Sequence, residues 1–228
     1  MRALLLELLD ATSGEKEAYV ENIQEKARVT KAATAAMLAR LKDQALLTLE
    51  NDVIKVNALQ RTLLAVEALK SGATLESVSR RLSWREFEEV VGQILEANHY
   101  FTLRNLVIRC GKRRFQIDLI GLREPLLLCI DCKHWKRSGK AMFKAADKQL
   151  ERTVALAENL KSLSGRLRVG SWKAVTLIPL LTVLYDASER IYNRIPVVSV
   201  SRMREFINKI DPYVSDFVKI TVSLEAAA

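Results

Sequence analysis

Residues 114–121, RFQIDLIG, and residues 126–133, LLLCIDCK, are two strand-like apolar runs that each contain one aspartate. Asp118 interrupts the first run, and five apolar residues lead directly into Asp131 in the second. A buried carboxylate is costly in free energy unless it is paired with a cation or bound to a metal. The two aspartates are therefore the first candidates for a functional site.

Strand geometry predicts how these acids are arranged. Asp131 and Lys133 share one face of their strand and Cys132 takes the other, because successive side chains alternate. If the two runs pair through the turn between them, Asp118 comes beside Asp131. Adjacent carboxylates repel, and a divalent cation such as Mg²⁺ or Mn²⁺ relieves that repulsion. The simpler interpretation is a buried Asp–Lys ion pair without chemistry.

The elements around these runs predict an α/β domain. Ser83 and Glu86 form a capping box that opens a helix extending through Asn98. A mixed sheet flanked by helices follows from the order of the remaining elements. These are strands at Thr102–Arg109, Arg114–Gly121 and Leu126–Lys133, a helix at Lys140–Lys161, a strand at Lys173–Ile178 halted by Pro179, a strand at Val197–Val200, and a helix from Ser201 to Ile210.

The first 70 residues have the pattern of a small α+β winged helix-turn-helix. Thr30 is placed to cap the third helix. Such a domain either reads DNA through its third helix or docks a protein partner, and the sequence leaves both open. The predicted elements are helices at Arg2–Asp10, Tyr19–Ala27 and Lys31–Lys42, then a hairpin of Leu46–Leu49 and Val53–Val56.

Charge is distributed unevenly along the chain. Residues 1–70 contain ten basic and ten acidic residues, so the net charge of +9 belongs to residues 71–228. A concentrated basic excess predicts a polyanionic partner such as DNA, although a merely solvated surface would have the same composition.

Hydropathy and cysteine content exclude two classes of protein. No apolar run reaches the roughly 18 residues of a membrane helix, which predicts a soluble, cytoplasmic protein without membrane association. Glu7 and Asp10 interrupt the apolar opening, which favours an amphipathic helix over a signal peptide. Cys129 and Cys132 have CxxC spacing, but on a strand they face opposite sides, so we expect core residues rather than a redox or zinc site.

The ordered motifs resemble the PD-(D/E)xK nuclease superfamily, particularly Mrr-like restriction endonucleases and, more distantly, archaeal Holliday-junction resolvases. The resemblance spans residues 83–210 and leaves out the N-terminal domain. It implies a restriction-endonuclease-like fold that hydrolyses DNA phosphodiester bonds with Mg²⁺ or Mn²⁺. The matching segments are WREFEEVVGQILEANHY, RRFQIDLIG, LLLCIDCKHW and IPVVSVSRMREFINKI.

The resemblance also implies a metal site. Asp118 and Asp131 would bind the ion directly, helped by the backbone carbonyl of Cys132. Glu88 would hold a metal-bound water or a second ion, and Glu89 takes that role if the register shifts by one residue.

Catalysis would then depend on Lys133. The resemblance implies that it positions or deprotonates the attacking water and stabilises the negative charge that develops. Gln149 stands where relatives often carry a glutamine on the next helix. Two departures are Asp131, where relatives more often have Glu, and a charged Cys110–Arg114 segment in place of a glycine-rich one.

Basic residues around the motif are candidates for phosphate contacts. Three of them recur every four residues and form one stripe on the helix after the D-x-K strand. A solvated helix face is the alternative. The candidates are Lys112, Arg113, Arg114, Lys136, Arg137, Lys144, Lys148 and Arg152.

The sequence thus predicts a DNA endonuclease with four parts. They are a winged helix at residues 1–70, a helical connector at 71–82, a nuclease domain at 83–212 and a C-terminal tail at 213–228. One alternative is a non-cleaving nucleic-acid-binding or adaptor protein that retains the fold. Another is a nuclease that acts as a homodimer on branched DNA.

Overall fold

The computed structural model describes residues 1–14, 16–133, 140–183 and 190–224. The chain divides into two compact units, Met1–Val90 and Val91–Ala228. None of the helices in the described ranges combines the length and apolar character that crossing a bilayer requires.

The first unit is mainly helical. Its three short strands form an antiparallel sheet in the order β1-β3-β2. Helix α6 begins in this unit and continues into the second. The elements are α1 (Arg2–Ala11), β1 (Ala18–Tyr19), α2 (Val20–Ala27), α3 (Lys31–Asp43), β2 (Thr48–Glu50), β3 (Val53–Lys55), α4 (Ala58–Lys70), α5 (Leu75–Ser79) and α6 (Trp84–Glu96).

The predicted helices and hairpin of this unit are present. Thr30 caps α3, since its side chain accepts a hydrogen bond from the backbone N–H of Ala33. Ser83 and Glu86 form the predicted capping box at α6, with the backbone N–H of Ser83 donating to Glu86 Oε2 at 2.6 Å. The interpretation of this element order as a winged helix stays a prediction.

A buried ion pair lies inside the first unit. Arg61 on α4 is 1% exposed, and its Nε lies 2.6 Å from Glu86 Oε1. The same guanidinium donates to the carbonyls of Leu9 and Arg81 at 2.8 and 2.7 Å, and to Thr12 Oγ1 at 2.6 Å. Protein atoms thus provide acceptors for all three guanidinium nitrogens.

The second unit is built on a seven-stranded sheet. Strands β4, β5 and β6 form an antiparallel meander, β7 is parallel to β6, and β9 is parallel to β7. The predicted mixed sheet with flanking helices is confirmed. The elements are β4 (Phe101–Cys110), β5 (Arg113–Arg123), β6 (Leu126–Lys133), α7 (Lys140–Glu158), α8 (Leu160–Leu167), β7 (Ala174–Val183), β8 (Ile191–Tyr192), β9 (Ile195–Ser199), α9 (Met203–Lys209) and β10 (Ile220–Ser223).

Pro179 does not end its strand, so that prediction is wrong. Strand β7 runs on to Val183, and Pro179 pairs with Cys129 of β6. On its other side β7 pairs first with β10, through Leu177, and then with β9, from Leu181 onward. Pro179 falls between these two segments, where the described strands require no backbone N–H.

Three other boundaries differ from the sequence prediction. The helix predicted at Lys140–Lys161 is two helices that break at Asn159. The closing helix begins as a 3₁₀ turn at Val200–Arg202 before α9. The stretch expected as a tail contributes β10, which pairs with β7.

Candidate active site

The two aspartates lie on the neighbouring strands β5 and β6. The antiparallel pairing of these strands ends with Leu119 opposite Ile130. Continued by one residue, the same register would set Asp118 opposite Asp131, on one face of the sheet. The side chain of Asp118 also bridges the strands, because its Oδ2 accepts a hydrogen bond from the backbone N–H of Cys132 at 3.2 Å.

Asp131 is held by two cations. It is 1% exposed. Lys133 Nζ lies 3.0 Å from Asp131 Oδ1 and 2.8 Å from Oδ2. Arg152 on α7 donates from Nη1 to Asp131 Oδ1 at 2.6 Å. The predicted Asp131–Lys133 pair is therefore extended by an arginine that comes from a separate helix.

Gln149 connects α7 to this arrangement. It is fully buried, and its Nε2 donates to the backbone carbonyl of Cys129 on β6 at 2.7 Å. Its Oε1 accepts a hydrogen bond from Arg152 Nη1 at 3.3 Å. Gln149 therefore anchors α7 on the D-x-K strand and orients the guanidinium that pairs with Asp131.

A cavity of about 220 Å³ opens beside the pair. Four of its lining side chains are basic and one is acidic. Lys144 and Lys148 are exposed on the same face of α7 as the cavity. A small recess with this excess of cations favours an anionic group such as a phosphate. The lining residues are Asp131, Lys133, Ala141, Lys144, Ala145, Lys148 and Arg152.

Among the described residues, none of the remaining predicted ones lines this cavity. Glu88 lies on the part of α6 in the first unit, where it is buried and accepts a hydrogen bond from Trp84 Nε1. Glu89 is half-buried. Lys112, Arg113 and Arg114 lie at the β4–β5 turn, four to six residues and roughly 13–20 Å along β5 from Asp118. Lys136 and Arg137 lie outside the described residues.

The donor atoms suit a hard divalent cation in their chemistry. Asp118 and Asp131 provide carboxylates on neighbouring strands. Asp131 Oδ2 is buried, and within the described ranges it accepts no hydrogen bond of good geometry, although Lys133 Nζ lies 2.8 Å away. No group of three or more His, Cys, Asp or Glu side chains in the described part of the chain has metal-binding geometry. An ion here would need backbone oxygen and water as further ligands, and Arg152 would compete with it for Asp131.

The cysteines are free thiols, and Cys129 and Cys132 are buried, as predicted for core residues. Burial raises the pKa of Cys129 to about 12, against a smaller lowering by a hydrogen bond with Thr153. Its thiol is therefore neutral at physiological pH and is a poor nucleophile and metal ligand. Cys129 belongs to the hydrophobic core below the site.

Comparisons with known proteins bear on the same segment. Residues 83–176 match the family model described as a nuclease-related domain (NERD). An uncharacterized protein of Archaeoglobus fulgidus is 26% identical over 138 residues, which cover 60% of this chain and 98% of that protein.

Two solved structures are also similar. One is titled a protein of unknown function, AF1548, with a TM-score of 0.28, 13% identity, and coverage of 54% of this chain and 53% of that one. The other is protein VC1899 from Vibrio cholerae, with a TM-score of 0.39, 14% identity, and coverage of 94% and 51%. The chain spans about half of each structure.

The matched segment contains the whole β4–β6 meander and α7, and thus Asp118, Asp131, Lys133 and Arg152. The segment that matches the nuclease-related domain model, residues 83–176, overlaps the segment whose sequence motifs resemble the PD-(D/E)xK superfamily.

Proposed function

We propose that the chain is a metal-dependent DNA endonuclease, and that Asp118, Asp131 and Lys133 form the site at which it hydrolyses phosphodiester bonds. The observation that carries this proposal is the Asp131–Lys133 pair at a basic cavity. It lies within the segment that matches the nuclease-related domain. The sequence resemblance extends the proposal to an Mrr-like endonuclease.

Asp118, Asp131 and the backbone carbonyl of Cys132 would hold Mg²⁺ or Mn²⁺. Glu88, or Glu89 in its place, would hold a metal-bound water or a second ion. The bound ion supplies an acidified water and neutralises charge on the scissile phosphate.

Lys133 would act on the water and the phosphate. Its ammonium, oriented by Asp131 at 2.8 Å, faces the cavity that would receive the phosphate. There it stabilises the negative charge that develops as the water attacks. Because the ammonium is already held in position, the side chain needs no reorganisation during the reaction, and the barrier is lower.

Basic side chains would contact the DNA backbone. Lys144, Lys148 and Arg152 line the cavity itself, so they would bind the phosphates nearest the cleaved bond. The remaining candidates would follow the strand away from the site. These are Lys112, Arg113, Arg114, Lys136 and Arg137.

The division of the chain into domains and its oligomeric state are part of the same proposal. Residues 1–70 would be a winged helix that binds DNA or a protein partner, joined by the connector at 71–82 to the nuclease domain at 83–212, with 213–228 as the C-terminal segment. The order of α2, α3 and the β2–β3 hairpin supports the winged helix. A homodimer acting on branched DNA in the cytoplasm is the structure-selective version of this function.

The experiment is cleavage of a panel of linear, branched and single-stranded DNA by the full chain with Mg²⁺ or Mn²⁺, at several salt concentrations. Lys133→Met and Asp131→Asn should lose metal-dependent cleavage and retain most DNA binding. Cleavage by either variant at the parent's rate would refute the assignment.

A non-cleaving nucleic-acid-binding protein is the second candidate. The Arg152–Asp131 contact favours it, because Asp131 is already neutralised by protein cations. Calorimetric titration with Mn²⁺ separates the two candidates, since a chain that binds no Mn²⁺ with or without DNA is not a metal-dependent nuclease.

A further inference from the structure

Arg152 contacts the carboxylate of Asp131 and also lines the basic cavity. It donates to Asp131 Oδ1 at 2.6 Å, closer than Lys133 approaches the same carboxylate. It also lines the basic cavity with Lys144 and Lys148. A quarter of its side chain is exposed, whereas the side chain of Arg61 is 1% exposed.

A divalent cation and Arg152 compete for Asp131. Oδ1 already accepts from both Arg152 and Lys133. An ion bound by the same carboxylate at about 2.1 Å would lie against the guanidinium, and like charges so close repel strongly where water is largely excluded. A metal ion bound to Asp131 would therefore weaken the Arg152–Asp131 contact through charge repulsion and favour the departure of Arg152.

The displaced guanidinium has a defined destination. Arg152 is fixed on α7, whose position on β6 is set by the buried Gln149. Arg152 lines the cavity with Lys133, Lys144 and Lys148, so a rotation of its side chain away from Asp131 would bring the guanidinium to a phosphate bound there. Guanidinium groups bind phosphate oxygens through paired, charge-assisted hydrogen bonds.

On this basis we propose that Arg152 exchanges Asp131 for a substrate phosphate, which couples metal binding to nucleic-acid binding. This inference rests on the proposed nuclease function and assigns a positioning residue to it. Without DNA, Arg152 lowers the affinity of the site for the ion. With a phosphate in the cavity that penalty disappears, and by linkage the metal strengthens DNA binding by the same factor.

The test is calorimetric titration of the full chain with Mn²⁺ alone. The variants are Arg152→Gln and, as a matched control, Lys148→Gln, which removes one positive charge from the same cavity and the same helix. We expect Arg152→Gln to bind Mn²⁺ about tenfold tighter than the parent, within the usual range of coupling between sites. Lys148→Gln should gain less than about threefold, which is the effect of net charge alone.

A structural role for Arg152 gives a different result. It would lower the thermal stability of Arg152→Gln and leave Mn²⁺ affinity unchanged or weaker. If Arg152→Gln does not fold, Arg152→Lys serves in its place. It keeps the charge but loses the fork and some reach, so a smaller gain in the same direction is expected.

Two results would overturn the inference. The first is an Arg152→Gln variant (or Arg152→Lys, where that is used) that binds Mn²⁺ no more tightly than the parent. The second is a gain in Mn²⁺ affinity in Lys148→Gln equal to that of the Arg152 variant. Absence of Mn²⁺ binding in every variant would overturn both the inference and the metal-dependent function. The predicted gain together with a parent that cleaves no DNA would support the competition between Arg152 and the ion for Asp131 and reject the nuclease.

Discussion

Two buried ion clusters, one in each unit, differ in what surrounds them. Arg61 and Glu86 in the first unit are 1% and 8% exposed, and protein atoms accept from every nitrogen of the guanidinium. Asp131 in the second unit is as buried, but its partners Lys133 and Arg152 are 15% and 25% exposed. These two partners border a basic cavity.

The difference separates a structural ion pair from a candidate site. Desolvation and pairing are common to both clusters, so neither property identifies function. In the Arg61 cluster, each of the three guanidinium nitrogens donates to an acceptor within the protein. In the Asp131 cluster, two cations contact one carboxylate, and four basic side chains line the cavity beside it.

The largest expected effect on stability is at the Arg61 cluster. Arg61→Met leaves Glu86 buried without its cation and should lower the free energy of unfolding by about 3–5 kcal/mol. Denaturant unfolding measures it. Arg80→Met, which removes an exposed partner of Glu76, is the control and should cost less than about 1 kcal/mol. Equal effects of the two substitutions would remove the distinction between closed and exposed pairs.

A smaller change in stability is expected at the Asp131 cluster. Asp131→Asn preserves side-chain shape, and Lys133 and Arg152 can turn toward the cavity when the carboxylate is lost. Unfolding free energy should therefore fall by less than about 2 kcal/mol, mostly from imperfect hydrogen bonding of the amide. A loss as large as that of Arg61→Met would mean that the second cluster is also structural.

The cavity lysines should affect binding without affecting stability. Lys144→Gln and Lys148→Gln should each weaken DNA binding to a similar extent on all sequences. Each should also lower the slope of log affinity against log salt by about one. Lys209→Gln on α9, which is paired with Glu205, is the matched surface control. An unchanged slope in both cavity variants would mean that no phosphate lies there.

The smallest effect concerns the core below the site. Burial keeps the Cys129 thiol protonated, with its pKa raised to about 12, so at pH 8 it should not react with a thiol reagent in the folded protein. The half-buried Cys110 is the internal reference, and all three cysteines should react after denaturation. Rapid native labelling of Cys129, read by peptide mass spectrometry, would show that the cavity reaches deeper than the structure indicates.

The sequence predicted the parts of the site that depend on local strand geometry. Alternation and a short turn are enough to place Asp131 and Lys133 together and Asp118 on the neighbouring strand. Those pairings hold wherever two adjacent strands form a hairpin. The antiparallel part of the mixed sheet was predicted for the same reason, because β4, β5 and β6 follow one another directly along the chain.

The contact between Arg152 and Asp131 could not be predicted from the sequence, because it depends on how α7 packs against the sheet. Spacing of four residues suggested a single stripe from Lys144 to Arg152. Each such step turns roughly 40° around the helix, so Arg152 lies about 80° from Lys144. That drift carries it toward β6 and Asp131. Pro179 is similar, because its tolerance within β7 depends on where β9 and β10 pair.

The central claim is that the Asp131–Lys133 pair cleaves DNA with a divalent metal. The most direct measurement is the initial rate of supercoiled plasmid cleavage by the full chain and by Lys133→Met, across a Mg²⁺ titration. We expect metal-dependent cleavage by the parent and a rate at least about 100-fold lower in Lys133→Met, with DNA affinity retained. Equal rates in the two proteins, or cleavage that persists in excess chelator, would contradict it.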